Sequence, residues 1–457
     1  MTSAVRQFLW LVVCLPLAIG CTFGQNATAP SIFVSAKGLD RVRARVASGL
    51  QPYRSANDTF LSVTSNYLND APNPFFMGDI RQIEFGWCSP ADGVDDSLKD
   101  LVEKLETDSN KARSLAVAYL LTGDDRYASK AKEIALDWVQ HSVLLNIYDL
   151  NVDFQNATFD GIEDGFCNRS WNMALDSVWQ TYGLINFSDT YAILSRNGNV
   201  LSGDEDAQLR AWLREYLLAA VNAGFHAWTR WADAHPNSDS YPRYRSDNHL
   251  SWALAGIAAA AAALEDEELW NYVYSGGTYD DGHSGPYANP SSVTATIGHA
   301  ISSDGSVYDQ KVRANEHKGM YYAHFHIWAL TLCAQIAEVA KDEDYFTRIG
   351  SSGGSIAYAF DHYARYGAGE LPIPDPDETT NVAFFRFLYE MVIGNSWTDG
   401  SRDTLYRRAV LAGTRDQIIH QSIGPVSVLT GELPDPFAPA DTALQPPAAP
   451  TGLTISP

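Results

Sequence analysis

The sequence predicts an all-α fold, and specifically an (α/α) toroid, an incomplete α/α barrel with long functional loops. Three observations support this: apolar residues recur at helical spacing, alternating strand patterns are scarce, and long polar loops separate the helical stretches. Helix pairs set around a ring would gather such loops at one rim and leave an extended cleft. An α-solenoid is the weaker alternative, because the chain has no fixed repeat period.

The clearest predicted element is a helical hairpin. Residues 111–122 (KARSLAVAYLLT) carry helical periodicity and are followed by Gly123, which is typical of a helix C-terminus. Residues 126–139 (RYASKAKEIALDWV) repeat the pattern. We therefore expect two antiparallel helices joined by a short turn.

The other helices are predicted from the same spacing. The stretch after Asp204 begins with acidic residues, which favour a helix N-terminus, and then carries one apolar stripe. Further helices are expected at residues 170–182, 249–264, 320–340 and 381–393. Long polar loops separate them, at residues 149–168, 232–247 and 276–310. Loops of that length usually carry function.

The two ends of the chain are interpreted as segments outside the folded domain. Residues 1–25 hold one Arg, an apolar run and then small residues, the pattern of a secretory signal peptide. Residues 434–457 are rich in Pro and Ala, as linkers are. One toroid domain, residues 26–433, remains, and we expect a secreted, extracellular monomer. If the source is bacterial, the alternative is a lipid anchor on Cys21.

Cysteines and sequons are compatible with an oxidising compartment. Cys88 and Cys167 lie in Gly- and aromatic-rich loops and are the first disulfide pair we expect. Cys333 lies inside an apolar helix and is interpreted as a buried thiol. Asn-X-Ser/Thr sequons, which suit a glycoprotein, occur at Asn26, Asn57, Asn156, Asn168 and Asn186.

The charge balance excludes several classes of partner. The chain has 55 acidic and 32 basic residues and a formal net charge of −23, which argues against nucleic acid and anionic membranes. We expect no membrane span after the leader, because the Ala-rich run at residues 253–264 is too short and suits a buried helix.

A Ser-Asp-Asn-His-Leu-Ser-Trp motif opens the helix predicted at residues 249–264. Ser246 or Asp247 can cap this helix. The first turn then presents Asn248 and His249 at a rim, beside backbone donors that favour an anion. Taken alone, such a pair is more often ordinary capping chemistry than a site.

A second candidate region runs from an Asp-Gly-Ser loop at residues 304–306 into the helix predicted at 320–340. Its cationic and aromatic residues are Arg313, His317, Lys318, Tyr321, Tyr322, His324 and His326. The three histidines do not share one helix face and no His-Glu-x-x-His pattern occurs, so we expect a cationic cleft wall, with no metal and no other cofactor.

The two tyrosines of this region are not separated by helix geometry alone. On a continuous helix Arg313, His317 and Tyr321 would share a face, whereas Gly is a poor interior residue and favours a helix start at Gly319. A break there would free Arg313 from that face.

Together these motifs resemble the alginate lyase superfamily of α/α-toroid polysaccharide lyases. The family shows Asn-Asn-His before an aromatic-bearing helix, then an Asp-Gly-Ser loop, an Arg and a Tyr-x-x-Phe helix ending in Ala-Leu. The matching segments here are DNHLSWALAG and DGSVYDQKVRANEHKGMYYAHFHIWAL. The helical hairpin and the DAQLRAWLREYL helix are also similar, so the likeness spans roughly residues 34–433.

The resemblance assigns catalytic positions residue by residue. Asn248 and His249 match the Asn-His pair, and Tyr322 matches the catalytic Tyr because Phe325 then falls at the family's offset. Two features depart from the pattern: Asp247 replaces the first Asn, and Arg313 lies farther before Tyr322 than the family's Arg. The resemblance therefore leaves part of the arginine's role open to the neighbouring His317 or Lys318.

The resemblance implies β-elimination on a uronic-acid polymer, with alginate as the first expectation and glucuronan or another uronan as the alternative. Asn248 and Arg313 would neutralise the substrate carboxylate, and Tyr322 would protonate the leaving oxygen. Either Tyr322 or His249 would remove the proton, depending on the stereochemistry. Substrate-binding positions are expected at Asn168, His317, Lys318, Tyr321, His324, Trp252, Arg245 and Tyr244.

Two rival interpretations remain. A toroidal glycoside hydrolase needs two carboxylates about 5 to 10 Å apart, and candidates such as Asp160 and Glu163 lack a family pattern. A non-catalytic carbohydrate-binding protein would not need Asn248, His249 and Tyr322 together.

Overall fold

The computed structural model describes most of the chain between residues 29 and 425. The described residues are 29–49, 53–74, 97–141, 180–234, 236–237, 243–282, 285–379, 382, 385, 387–394, 397, 400–411, 419–420 and 424–425. The predicted leader, the C-terminal linker, Asn168 and the Cys88–Cys167 pair lie outside these residues.

Helices make up almost all regular structure in the described residues. The first part of the chain holds α1 (Ala36–Ala47), α2 (Tyr53–Asn66), α3 (Ser97–Thr122), α4 (Asp125–His141), α5 (Thr181–Arg196), α6 (Gly203–Trp212), α7 (Ala219–Ala234) and α8 (Arg243–Ser246). A π-helical turn, Leu213–Leu218, connects α6 to α7, and a 3₁₀ turn, Tyr67–Asn69, follows α2.

The second part of the chain continues the helical pattern. Its helices are α9 (Asn248–Leu264), α10 (Glu267–Ser275), α11 (Val293–Ala300), α12 (Tyr308–Val312), α13 (Gly319–Lys341), α14 (Ile356–Gly367), α15 (Phe387–Gly394) and α16 (Gly400–Leu411). Short 3₁₀ turns lie at Ala314–Glu316 and Pro376–Glu378. The strands are two-residue antiparallel pairs, β1 (Thr278–Tyr279) with β2 (Tyr287–Ala288) and β3 (Ile419–His420) with β4 (Gly424–Pro425).

The predicted all-α class is confirmed, and the predicted hairpin is α3 followed by α4. Gly123 follows α3 with φ of +72°, a left-handed conformation that glycine adopts without a Cβ clash. α3 begins at Ser97, earlier than predicted, because its first half is polar and hides the apolar stripe.

One predicted segment is wrong, and two predicted helices are described only in part. The loop predicted at residues 276–310 contains β1, β2, α11 and the start of α12. Of the helix expected at 170–182, residues 170–179 lie outside the described residues, and α5 begins at Thr181. Of the helix expected at 381–393, Val382 is helical, Phe385 lies in a turn, and α15 begins at Phe387.

The core is organised around α9, which packs against α5 and α13. All of its residues except His249 are buried. Its alanines allow close approach, and a Cβ added at Gly256 would lie 2.6 Å from Thr181 Oγ1 in α5. That hydroxyl donates a hydrogen bond to the Trp252 carbonyl at 3.1 Å. The start of α5 is therefore held directly against α9.

The burial of Cys333 and of two sequon asparagines tests two further predictions, a buried thiol and glycosylation at these asparagines. Cys333 is a buried free thiol, as predicted. The sequon asparagines Asn57 and Asn186 are both buried, and the Asn186 amide donates to Ser109 Oγ at 3.1 Å. Neither is accessible to a glycosyltransferase in the folded chain. No helix in the described residues is long and apolar enough to cross a membrane.

Candidate active site

The start of α9 is fixed by a side-chain cap. Asp247 has extended backbone angles, and its Oδ1 accepts hydrogen bonds from the backbone N–H groups of His249 at 3.1 Å and Leu250 at 3.4 Å. Aspartate is among the strongest N-cap residues because its carboxylate satisfies otherwise unpaired helix donors. The cap fixes the positions of Asn248 and His249 at the end of a buried helix.

The imidazole of His249 is oriented by the same aspartate. Its Nδ1 lies 3.2 Å from Asp247 Oδ2, and its ring centroid is 5.1 Å from that of Trp228. A carboxylate only accepts hydrogen bonds, so Nδ1 is the donor, and in the neutral form of the ring Nε2 then presents its lone pair. The side chain is 15% exposed, which leaves it open to solvent on one side. The arrangement suits a general base acting through Nε2.

The amide of Asn248 is buried beside a second carboxylate. Its Nδ2 donates to Asp309 Oδ1 at 2.8 Å, and the other oxygen of Asp309 lies 2.9 Å from His326 Nδ1. Asp309 stands in the first turn of α12, so it reaches α9 and α13 together. Sequence reasoning missed Asp309; its only signal was a carboxylate just after the Asp-Gly-Ser loop.

The start of α13 has a different construction. The helix begins at Gly319 after Lys318, which makes no side-chain cap bond; the N–H of Tyr321 instead donates to Glu378 Oε2 at 2.9 Å. A Cβ at Gly319 would lie 2.6 Å from the Gln310 carbonyl oxygen, so no larger residue fits without a shift. Glu378 is a second residue that the sequence did not reveal.

The helix start at Gly319 decides between the two predicted helix faces. Arg313 lies between α12 and the 3₁₀ turn, and His317 has φ of +55°, so no continuous helix joins them to Tyr321. Arg313 instead folds back, with its guanidinium 4.7 Å from the ring centroid of Tyr322. The register that follows from Gly319 brings the arginine to Tyr322.

The guanidinium of Arg313 keeps its charge at this position. Burial alone would lower its pKa, but the ion pair with Glu316, at 2.7 Å, raises it above the usual arginine range. A cation over an aromatic face is attracted by the ring quadrupole.

The two neighbouring tyrosines have different surroundings. Tyr321 packs among aromatic rings, stacked with Phe325 at 5.9 Å and edge-on to Phe385 at 5.1 Å, and burial raises the pKa of its hydroxyl. Among the described residues, no hydrogen bond involves the hydroxyl of Tyr322. The two rings therefore differ in their contacts: Tyr321 lies among aromatic side chains, and Tyr322 lies against the guanidinium of Arg313.

The histidines of the predicted cationic wall divide into two kinds. His317 is 65% exposed and pairs with Asp375 at 2.6 Å, and this hydrogen bond raises its pKa. His324 is buried, with Nδ1 2.7 Å from the Met320 carbonyl oxygen, and burial lowers its pKa to about 4. We correct the predicted role of His324 on this ground, because a neutral, enclosed imidazole does not form part of a cationic wall.

The other predicted binding residues also differ in accessibility. Lys318 is exposed. Trp252 is 3% exposed and packs against Tyr182, Phe325 and Trp328, so its ring belongs to the core and not to an open sugar platform. Arg245 is buried with bonds to Asp233 and Ser291. The side chain of Tyr244 and all of Asn168 lie outside what the structure describes.

One group of potential metal ligands occurs among the described residues. Ligand atoms of His317, Asp375 and Asp377 lie within 4.8 Å of one another. The group is largely exposed, and the ion pair between His317 and Asp375 accounts for its geometry without an ion. The expectation of a metal-free site stays a prediction.

Comparisons with known proteins identify the family and the fold of the chain. The alginate lyase family matches residues 64–373 of the chain. No curated protein sequence matches significantly. A solved structure of a Tyr-to-Phe variant of alginate lyase A1-III complexed with a tetrasaccharide has 16% identity and a TM-score of 0.55, covering 90% of this chain and 98% of that one.

Two further structures show the same similarity. An alginate lyase from Bacteroides ovatus has 15% identity and a TM-score of 0.53, with 88% of this chain and 99% of that chain covered. Alginate lyase A1-III from Sphingomonas species A1 has 14% identity and a TM-score of 0.51, with 88% and 97% covered. The shared fold is the α/α toroid that the sequence predicts. With its fold, the Asn-His helix start and a family match over most of its length, the chain belongs to the alginate lyase family of polysaccharide lyases.

Proposed function

We propose that the chain cleaves a uronic-acid polymer, with alginate as the first candidate, by β-elimination at a site formed by the starts of α9 and α13. The single observation that carries the proposal is the contact of Arg313 with Tyr322, which joins a permanent cation to an available phenol. The family match supports the reaction class, and the relative solved with a tetrasaccharide supports an oligosaccharide-sized cleft.

The chemistry requires three tasks. The C5 proton of a uronate is weakly acidic, so its carboxylate must first be neutralised; the proton must then leave, and the O4 leaving group must be protonated. Asn248 and Arg313 carry out the neutralisation in this proposal. The Arg313 charge does not titrate near neutral pH, and its raised pKa reinforces this.

Tyr322 donates its proton to O4. When the C5 hydrogen and O4 lie on the same side of the sugar ring, Tyr322 as a phenolate removes the C5 proton and passes that same proton to O4; the positive charge that such a role needs nearby is Arg313. When they lie on opposite sides, His249 removes it through Nε2, whose lone pair the Asp247 contact leaves free. The site thus contains a base for either stereochemistry.

The same proposal includes the finer points of location and assembly. We propose that the protein acts outside the cell as a monomer, with residues 1–25 as its leader and residues 434–457 as a linker, because the chain's composition at both ends fits these roles. His317 and Lys318 contribute positive charge at the rim, since both are exposed. Within a chain of net charge −23, this local charge matters for a polyanionic substrate.

A single assay tests the reaction and the substrate class. Purified protein is incubated with alginate rich in either uronate, glucuronan and a neutral glucan, and the ultraviolet band of the unsaturated uronate is followed. We expect the band with at least one uronan and not with the glucan, and equal rates with and without EDTA. New reducing ends without the ultraviolet band would indicate hydrolysis and would contradict the proposal. Loss of activity on chelation would contradict the prediction of a metal-free site.

A further inference from the structure

Asp309 is an ionisable residue that the proposed reaction does not use directly. It belongs to the short helix α12, between the Asp-Gly-Ser loop and Arg313, and its side chain is fully buried. A buried carboxylate is costly unless hydrogen bonds compensate for the lost water. The hydrogen-bond donors around the Asp309 carboxylate therefore show which residues compensate for its burial.

Three donors from two helices surround this carboxylate. On the α9 side, Oδ1 accepts from Asn248 Nδ2 at 2.8 Å and from the Asn248 backbone N–H at 3.4 Å. On the α13 side, Oδ2 lies 2.9 Å from His326 Nδ1. Hydrogen bonds to a charged acceptor are stronger than neutral ones, which favours a rigid arrangement.

The carboxylate decides which way the Asn248 amide points. Asp309 only accepts, so the NH₂ group of Asn248 must face it, and a flipped amide would set two acceptor oxygens against each other. One N–H of the amide is used in this bond. The second N–H keeps a fixed direction and remains to donate to the substrate carboxylate.

His326 holds the other side of Asp309. Its ring is completely buried and its Nδ1 donates to the carboxylate, whereas its Nε2 has no hydrogen-bond partner among the described residues. The imidazole therefore has no access to a substrate and acts on Asp309 alone. His326 lies one helical turn after Tyr322 in α13, and Asn248 is the first residue of α9. The carboxylate of Asp309 therefore contacts both helices close to their first turns.

We propose that Asp309 is a positioning residue: held by His326, it fixes the side-chain amide of Asn248 in the orientation that binds the uronate carboxylate. The inference rests on the proposed function and adds a residue to the same site. Its effect passes through Asn248, so it predicts a coupling between the two positions and not merely a loss of stability.

A double-mutant cycle tests this coupling. We expect Asp309→Asn to lower kcat by about 100-fold, the scale of misplacing a catalytic group, while KM changes less than about threefold. We expect Asn248→Ala to lower kcat similarly, and the double variant to be no worse than Asn248→Ala alone. Losses that multiply would overturn the inference, because Asp309 would then act independently of Asn248.

A matched pair elsewhere in the fold provides the control. His226 and Asp281 form a buried imidazole–carboxylate contact of 3.1 Å outside the proposed site. We expect Asp281→Asn to lower the melting temperature about as much as Asp309→Asn does, and to leave kcat within about twofold. An equal loss of kcat in both variants would assign Asp309 a purely structural role.

A second pair of variants covers the case in which Asp309→Asn does not fold. Asn can imitate the Nδ1–H of a histidine, so His326→Asn should retain kcat within about threefold, whereas His326→Leu should lower it about tenfold or more. Equal activity of these two variants would also overturn the inference. If the wild-type protein gives no unsaturated product from any uronan, the proposed function fails; if it does and the cycle is additive, only the role of Asp309 fails.

Discussion

The two helix starts at the site are held in place by different interactions. At α9 the residues Asn248 and His249 are hydrogen-bonded to two carboxylates, which fix the direction of each donor and acceptor. At α13, Tyr322 contacts Arg313 and Tyr321 through its ring, and no described residue hydrogen-bonds its hydroxyl. One helix start therefore presents atoms of fixed direction, and the other presents a hydroxyl that no described residue orients.

We infer from this contrast that the two helix starts have different roles in the proposed reaction. Groups that bind a planar carboxylate benefit from fixed geometry, whereas a group that exchanges protons with the sugar needs a free hydrogen-bonding position and a suitable charge nearby. Removing a hydroxyl at α13 should thus affect turnover most, removing the nearby cation should affect it less, and removing a peripheral charge should affect it least.

The largest effect is expected at Tyr322. Tyr322→Phe removes only the hydroxyl, so we expect kcat to fall by at least ~100-fold, the usual scale for losing a general acid or base. The melting temperature and KM should change little, because the ring and its contact with Arg313 remain. Tyr321→Phe is the matched control and should retain most activity. The reverse ranking of the two variants would make Tyr321 the catalytic residue.

An intermediate effect is expected at Arg313. Arg313→Gln should lower kcat/KM roughly 30-fold, because it removes a charge that stabilises the transition state while Asn248 still contributes. Arg313→Lys retains the charge but loses the planar contact with Tyr322, so a loss of about tenfold is expected.

Arg348 is the control for this prediction. It covers the ring of Tyr345 at 3.7 Å in the same way, outside the proposed site. Steady-state kinetics of Arg348→Gln should match the wild type. A comparable loss in that variant would mean that the cation–ring contact serves folding and not catalysis.

The smallest effect is expected from the pH response of His317. Its hydrogen bond to Asp375 raises its pKa, so its charge is fully present below the ordinary value near ~6.5 and is lost as the pH rises through the raised value. Because the pair is exposed and screened, we expect KM to rise less than about threefold over that range.

Two substitutions isolate the group responsible. His317→Gln should flatten the rise of KM with pH. His324→Gln should leave it unchanged near neutral pH, because burial lowers the pKa of His324 to about 4 and the imidazole is already neutral there. A flattened profile in the His324 variant instead would contradict the assignment.

The sequence predicted helices whose ends carry local signals, and missed a helix without them. The helices α4, α9 and α13 lie close to their predicted bounds. Both α9 and α5 are buried at nearly every residue, but Asp247 caps the start of α9 whereas no side chain caps the start of α5.

The sequence predicted which residues lie at the two helix starts, but not which of them are buried or what they contact. A helix cap at Asp247 and a helix start at Gly319 follow from local rules, and both are confirmed. Burial depends on the packing of distant segments, so the sequence could not separate exposed His317 from enclosed His324. Asp309 and Glu378 were missed for the same reason, since their hydrogen-bond partners lie on other helices.

The absence of a side chain at Gly256 sets how closely α5 and α9 approach each other. A methyl group there would press on Thr181, the first residue of the helix that also carries Tyr182, whose ring lies 4.9 Å from that of Trp252. Because α9 runs without interruption from Asn248 to Leu264, one added carbon at its middle would displace aromatic rings near the helix start that carries Asn248 and His249.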